Sequence, residues 1–328
     1  MVLPCLNKRS ILKITTENIC DIDLAVSEGF SIQRTRVEPD VLPAGAKRFS
    51  VVTGTHGDEL EGQYVCYELL RRVREHPEFV SGVIDVYPAV NPLGIDSMTR
   101  GIPHFDLDLN RVFPGREDGC MPEYYAKQVV DSISGSDMSV DIHASNIFLY
   151  ELPQIRINEL TAAELVPWAK KANVDYVWVH SAATVLEATL AYSLNSSGTP
   201  CLVVEMGIGM RLTKEYGDQL VDGLLNIMSE MGIWTGPAPE VRKPIVSTDG
   251  EVYYINADAP GIFMPVANHT DYVHEGQLVG NILNPLTGEV AQELRAPHDG
   301  LMFTLRAYPV VYSGSLIARV LAGVEEVA

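Results

Sequence analysis

A chain of 328 residues with 43 acidic against 24 basic side chains carries a formal charge of −19, which argues against nucleic acid or an anionic membrane surface as partner, since both need clustered Lys and Arg. Hydrophobic residues at 46% and charged residues at 20% are the proportions of an ordinary globular protein with ample apolar material for a core. No apolar run approaches the roughly 18 residues that a membrane span needs.

The N-terminal stretch "MVLPCLNKRSILK" has no apolar region behind its charges, so a signal peptide is not expected. Residues 1–45 read as an N-terminal extension packing on the domain that begins at residue 46, with Arg34 to Pro43 extended and punctuated by proline. From about Phe49 to Ile233, short apolar runs ("RFSVVTG", "GVIDVYPAV", "SVDIHA", "DYVWVHS" and "PCLVVEMG") alternate with helical patterns. Runs so rich in Val and Ile, and so nearly continuous, suit strands buried on both faces. One helix is expected on a stripe of Leu60, Tyr64, Tyr67, Leu70 and Val73, and another from Leu212 to Met231, closed by Gly232. The fold class is therefore α/β: a mixed, mainly parallel sheet sandwiched by helices over residues 46–235.

The Gly/Pro-rich stretch Gly232 to Pro244 marks a boundary. Beyond it, over residues 236–328, turns recur at Asp249-Gly250, Pro260-Gly261, Glu275-Gly276, Thr287-Gly288, Asp299-Gly300 and Ser313-Gly314, predicting a small all-β barrel or sandwich. Cys5, Cys20, Cys66, Cys120 and Cys201 are scattered and form no CxxC pair, a pattern that suits reduced thiols and a cytoplasmic location.

Chemistry gathers at three predicted strand ends. His56 and Glu59 stand about one helical turn apart after the strand that ends in Thr53-Gly54, so both can face one point. An imidazole and a carboxylate are ordinary zinc ligands, and catalytic zinc keeps three protein ligands and an open position. His143 closes the run "SVDIHA" and is the candidate third ligand, because open α/β sheets place their sites outside such strand ends. Glu205, ending "CLVVE", is a candidate general base, and the glycine after it, Gly207, leaves room for substrate. Asp58 is either a support for the ligands or an exposed acid at a helix start; Glu61 reads as the solvated first turn of that helix. Arg116 and His104 read as solvated.

"GTHGDE", "NPLG" (Asn91 to Gly94), "DLDLNRVFPG" (Asp106 to Gly115), "DIHA" and "VVEMG" occur in that order. Together they resemble the succinylglutamate desuccinylase/aspartoacylase family, which is related to the zinc carboxypeptidases. The resemblance implies His56, Glu59 and His143 as ligands of one zinc ion and Glu205 as the base that activates water. It implies Asn110 and Arg111 as the grip on a substrate carboxylate, where a guanidinium gives two parallel hydrogen bonds. It implies Arg100 as the group that polarises the scissile carbonyl, although its spacing to Asn110 is longer here than in aspartoacylase. Asp58 and Asp141 become candidate supports of the ligands. Ala144 follows His143 where the family commonly has threonine. Some relatives bring a phenol from the C-terminal domain; Tyr308 and Tyr312 are candidates here, though strand aromatics are more often core.

The segment from "YVHEGQLVGNI" onward resembles a biotinyl/lipoyl-type barrel-sandwich hybrid, but it lacks the hairpin lysine that a carrier needs, Lys243 lying outside it. The expected function is zinc-dependent cleavage of the amide of a small anionic N-acylated amino acid. A metallocarboxypeptidase acting on short peptides is the nearest alternative, and a non-catalytic binding protein on the same fold the next. A homo-oligomer is left open.

Overall fold

The computed structural model describes residues 12–181, 187–248 and 251–325. Cys5, most of the "MVLPCLNKRSILK" stretch and the turn expected at Asp249-Gly250 lie outside these residues.

Strands β1 (Leu12–Asp23) and β2 (Gly29–Pro39) form an antiparallel hairpin. The hairpin joins the sheet when β2 pairs with β4 (Val83–Tyr87). Next to β4 lie β3 (Arg48–Thr53), β5 (Met138–Ala144) and β8 (Cys201–Gly207), all parallel to one another. β6 (Leu149–Asn158) then runs antiparallel to β8, and β7 (Tyr176–His180) runs parallel to β6. The mixed, largely parallel core follows from the buried runs of β3, β4 and β5, in which nearly every side chain is inaccessible.

Helices cover both faces, and a short α2 (Pro92–Ser97) follows β4. On one, α1 (Glu61–Glu75), α4 (Ala162–Ala169) and α6 (Lys214–Met231) bury Val65, Leu69, Leu165, Leu220 and Leu224 against Val51, Val86, Val140 and Val204. On the other, α3 (Met121–Ile133) and α5 (Leu190–Ser196) bury Tyr125, Val129, Leu190 and Leu194 against Val52 and Tyr87. Each such aliphatic side chain contributes about 1.5–3 kcal/mol when fully buried. The α1 stripe is shifted from the expected one: Val65, Cys66, Leu69 and Val73 are buried, whereas Tyr67 is exposed and the Tyr64 hydroxyl donates to Asp218. The hydroxyl of Tyr64 reaches Asp218 and Tyr67 faces solvent, so both mark the flank of this helix rather than its core. Gly232 ends α6 in the left-handed conformation expected of a C-terminal glycine.

After α6 the chain first returns to the main sheet, where β9 (Ile245–Thr248) pairs with β7. It continues through β10 (Val252–Asn256), β11 (Gly261–Pro265), β12 (Tyr272–Val273), β13 (Leu278–Asn284) and β14 (Glu289–Arg295). β15 (Gly300–Arg306), β16 (Val310–Val311) and β17 (Leu316–Leu321) complete it. Strands β14, β13, β11 and β16 make a separate antiparallel sheet around Phe263, Val279 and Ile282. β15 pairs with the first residues of β6, so the main sheet runs on through β15, β17 and β10. Leu152, Tyr176, Trp178, Val252, Phe303 and Leu321 form one apolar cluster across that junction.

Candidate metal centre and active-site cavity

Two glycines explain how the loops at the strand ends fit together. A Cβ on Gly57 would stand 2.0 Å from the carbonyl carbon of Gly94, so "THGDE" and "NPLG" can stack only because Gly57 has none. Asn91 fixes the second loop by accepting from Gly94 N–H at 3.0 Å. At Gly207, where φ is +69°, a Cβ would overlap Glu61 Oε1 at 1.9 Å. The space after Glu205 therefore belongs to Glu61 and not to substrate. Glu61 is fully buried and accepts from Thr213 N–H at 2.8 and 3.0 Å, which corrects its reading as a solvated acid.

His56, Glu59 and His143 converge: one ligand atom from each lies within 4.8 Å of the others, and all three residues are buried. Both imidazoles turn Nδ1 toward Glu59, His56 at 2.8 Å from Oε1 and His143 at 2.9 Å from Oε2. Both turn Nε2 to an aspartate, His56 to Asp108 at 2.9 Å and His143 to Asp141 at 3.1 Å. A carboxylate behind each imidazole is the arrangement that orients histidines bound to metals. His56 Nδ1 has no hydrogen-bond partner although it is buried. Two lone-pair atoms facing each other without a hydrogen bond fit a shared cation, so this donor set could hold a metal ion.

The electrostatics agree. Burial opposes charge on Glu59, yet the two imidazoles outweigh it and hold the carboxyl well below the usual range. Burial likewise opposes charge on Asp108, which His56 and Arg100 nevertheless hold down at about 2. Against burial, the surrounding carboxylates raise both imidazoles, that of His143 strongly. Protons and a metal would compete for the same lone pairs.

Glu205 lies beside His143, its register partner across β5 and β8. Burial pushes its carboxyl above the ordinary carboxylate range, with Arg156 and His143 pulling the other way. Arg100 Nη1 donates to Glu59 Oε1 at 2.6 Å, and its guanidinium lies 3.8 Å from Asp108. Asn110 Oδ1 accepts from Leu190 N–H at 3.0 Å, and Arg111 Nη1 donates to the Asn110 carbonyl at 2.7 Å. Glu205, Arg156, Arg100, Asn110 and Arg111 border one cavity with His56, Glu59 and His143; its volume of about 680 Å³ is ordinary for a small-molecule site.

Asp141 touches His143. Asp58 is buried rather than exposed, its Oδ1 without a hydrogen-bond partner, and the other carboxylate behind an imidazole is Asp108. Arg116 and His104 are exposed. Tyr308 and Tyr312 are 45% and 71% exposed, so neither is core, and neither borders the cavity. The side chain that the C-terminal strands do bring to the cavity is Arg319, on β17. Arg319 and, on β6, Glu151 and Arg156 escaped the sequence reading. Their signal was a charge inside an apolar run, in "YELPQIRIN" and "SLIARVL".

Among the described residues no helix is long and apolar enough to cross a membrane. An N-alpha-acetyl-L-2,4-diaminobutyric acid deacetylase of Halomonas elongata is 26% identical over 283 residues, covering 83% of this chain and 81% of the relative. The product-bound ectoine utilization protein EutE (DoeB) of Ruegeria pomeroyi has the same fold, with a TM-score of 0.79 at 22% identity over 97% of this chain and 96% of that one. So does a succinylglutamate desuccinylase/aspartoacylase of Rhodobacter sphaeroides, with a TM-score of 0.78 at 23% identity over 99% of both chains. The family model of the succinylglutamate desuccinylase/aspartoacylase catalytic domain matches residues 46–231, the segment that carries β3 to β8, the converging His56, Glu59 and His143, and Glu205. On that match over more than half its length, the chain belongs to the succinylglutamate desuccinylase/aspartoacylase family of deacylases.

Proposed function

We propose that the chain is a zinc-dependent amidohydrolase that removes the acyl group from a small N-acylated amino acid. The observation that carries this reading is the convergence of His56, Glu59 and His143 beside Glu205 in one cavity. His56, Glu59 and His143 would hold the ion, which when bound supplies Lewis acidity toward water and the amide carbonyl. Glu205 takes a proton from the attacking water on its carboxylate and delivers it to the leaving amine. Its register with His143 across β5 and β8 puts the two side chains on the same face of the sheet at neighbouring strand ends, which supports this role.

Arg100 stands at the ligand cluster, where its guanidinium can stabilise charge that develops on the carbonyl oxygen. Arg111 has only one donor engaged by the Asn110 carbonyl, which leaves others for a substrate carboxylate. The Asn110 side chain is braced by Leu190 N–H and keeps its amide donors for the same group. Holding the substrate by its carboxylate orients the amide, so that binding contributes to rate as well as affinity. Of the arginines that border the cavity, Arg100, Arg156 and Arg319 are paired with carboxylates, whereas Arg111 has no carboxylate partner among the described residues and is the local cation that suits an anionic substrate.

The Halomonas elongata relative makes N-alpha-acetyl-2,4-diaminobutyrate the first compound to try. Amine release from this compound, acetylaspartate, succinylglutamate and short peptides, each with added zinc, tests the reading. Cleavage of at least one N-acyl amino acid and of none of the peptides is the expected result. Removal of C-terminal residues from the peptides alone would replace it with the carboxypeptidase reading.

A further inference from the structure

One part of the cavity wall holds a buried cluster to which the proposed reaction assigns no role beyond Glu205 itself, and one member arrives from the far end of the chain. Glu151 is 2% exposed and accepts from Arg156 Nη2 at 2.7 Å, Arg319 Nη1 at 3.0 Å, Ser145 Oγ at 3.3 Å and the Gln154 amide. An ionised carboxylate at that depth is costly unless paired. Burial does oppose its charge, but Arg156 and Arg319 outweigh the penalty and keep it ionised. Arg156 is the bridge: its other terminal nitrogen, Nη1, lies 3.4 Å from Glu205 Oε1. The Trp178 ring restrains both guanidiniums, with Arg156 at 5.6 Å and Arg319 at 5.8 Å from its centroid. The cluster is balanced, two carboxylates against two guanidiniums, so deleting one charge leaves another buried and uncompensated.

We propose that Arg319 is a positioning residue for Glu205: by holding Glu151 it fixes the direction of Arg156, and Arg156 holds the Glu205 carboxylate beside His143. This rests on the reading of Glu205 as the base. It gives the C-terminal strands a part in the reaction beyond enclosing the cavity. Arg319 is 168 positions from Glu151 in sequence, and the two meet because β15 pairs with β6 and β17 pairs with β15.

The test uses the full-length, zinc-loaded protein and the N-acyl amino acid it cleaves fastest. Arg319→Leu should lower kcat by roughly 10- to 100-fold, the scale of a misplaced reacting group, with KM within about threefold of wild type. Arg319→Lys should recover most of that loss, since an ammonium can still reach Glu151. In a Glu151→Gln background, Arg319→Leu should change kcat by less than about twofold, because both substitutions remove one contact. A crystal structure of Arg319→Leu should find Arg156 Nη1 displaced from Glu205.

A raised KM at unchanged kcat would overturn the proposal, because Arg319 would then touch substrate. Wild-type kinetics, additive losses in the double variant, or an unmoved Arg156 would overturn it equally. If Arg319→Leu does not fold, the nearly isosteric Glu151→Gln alone must lower kcat without moving KM, and an unchanged kcat sinks the idea. If the wild-type protein cleaves no N-acyl amino acid, the reaction reading fails, and the crystal structure still decides whether Arg319 holds Arg156 on Glu205.

Discussion

Two walls of one cavity hold buried charge in opposite ways. On the first, Glu59, Asp108 and Asp141 surround two imidazoles, and among the described residues Arg100 alone brings a permanent positive charge into contact with them. On the second, Glu151 and Glu205 are met by Arg156 and Arg319. With both imidazoles neutral, the first wall keeps surplus negative charge, and His56 Nδ1 is buried without a hydrogen bond, so protons or a cation must balance it. The second wall neutralises itself and needs no ligand to be stable. The difference teaches that burial alone does not mark a ligand site; the sign of the leftover charge does.

Breaking the first wall should have the largest effect. His143→Ala removes one of the three proposed ligands, and metal content after dialysis should fall together with amide hydrolysis. Glu205→Gln tests the boundary between the walls: kcat should drop about 10²- to 10⁴-fold, the usual contribution of a general base, with bound metal unchanged. A loss of metal in that variant would move Glu205 into the first wall. Arg111→Lys should weaken kcat/KM by roughly 10- to 100-fold through KM, the value of about 1.5–3 kcal/mol for hydrogen bonds to a charged group.

Smaller effects sharpen the same comparison. Asp141→Asn and Asp108→Asn keep the shape but lose the charge behind each imidazole, and should weaken zinc affinity by about 10- to 100-fold in competition with a chelator. Glu61→Ala lies outside both walls. It should cost about 1–3 kcal/mol in chemical denaturation by stranding Thr213 N–H, and should leave zinc affinity unchanged.

The walls also differ in how far they could be read from sequence. His56 and Glu59 sit in one short motif after a strand, and His143 and Glu205 end two buried apolar runs, so local spacing and hydrophobicity reveal them. β6 was not legible because Glu151, Pro153, Gln154 and Arg156 interrupt its apolar pattern. Those interruptions have physical reasons: the polar residues border the cavity or serve its cluster, and the register against β8 shifts around Pro153. The β1–β2 hairpin was missed for a related reason, since many of its side chains face solvent and carry no buried run. Arg319 depends on contacts far apart in sequence, which no spacing within a motif can encode. The burial of Asp58 and Glu61 is not legible because nothing local says that the loop before α6 folds over them; Met210 N–H on the Asp58 carbonyl and Thr213 N–H on Glu61 do so.

One metal ion held by His56, Glu59 and His143 is proposed to drive the hydrolysis of an N-acyl amino acid. The direct measurement is amine release from the acyl amino acid panel as zinc is titrated into chelator-stripped protein. The expected result is no release from stripped protein, and release that rises with zinc and saturates at one ion per chain. Full release without metal, or one tightly bound ion with no release from any compound, would contradict it.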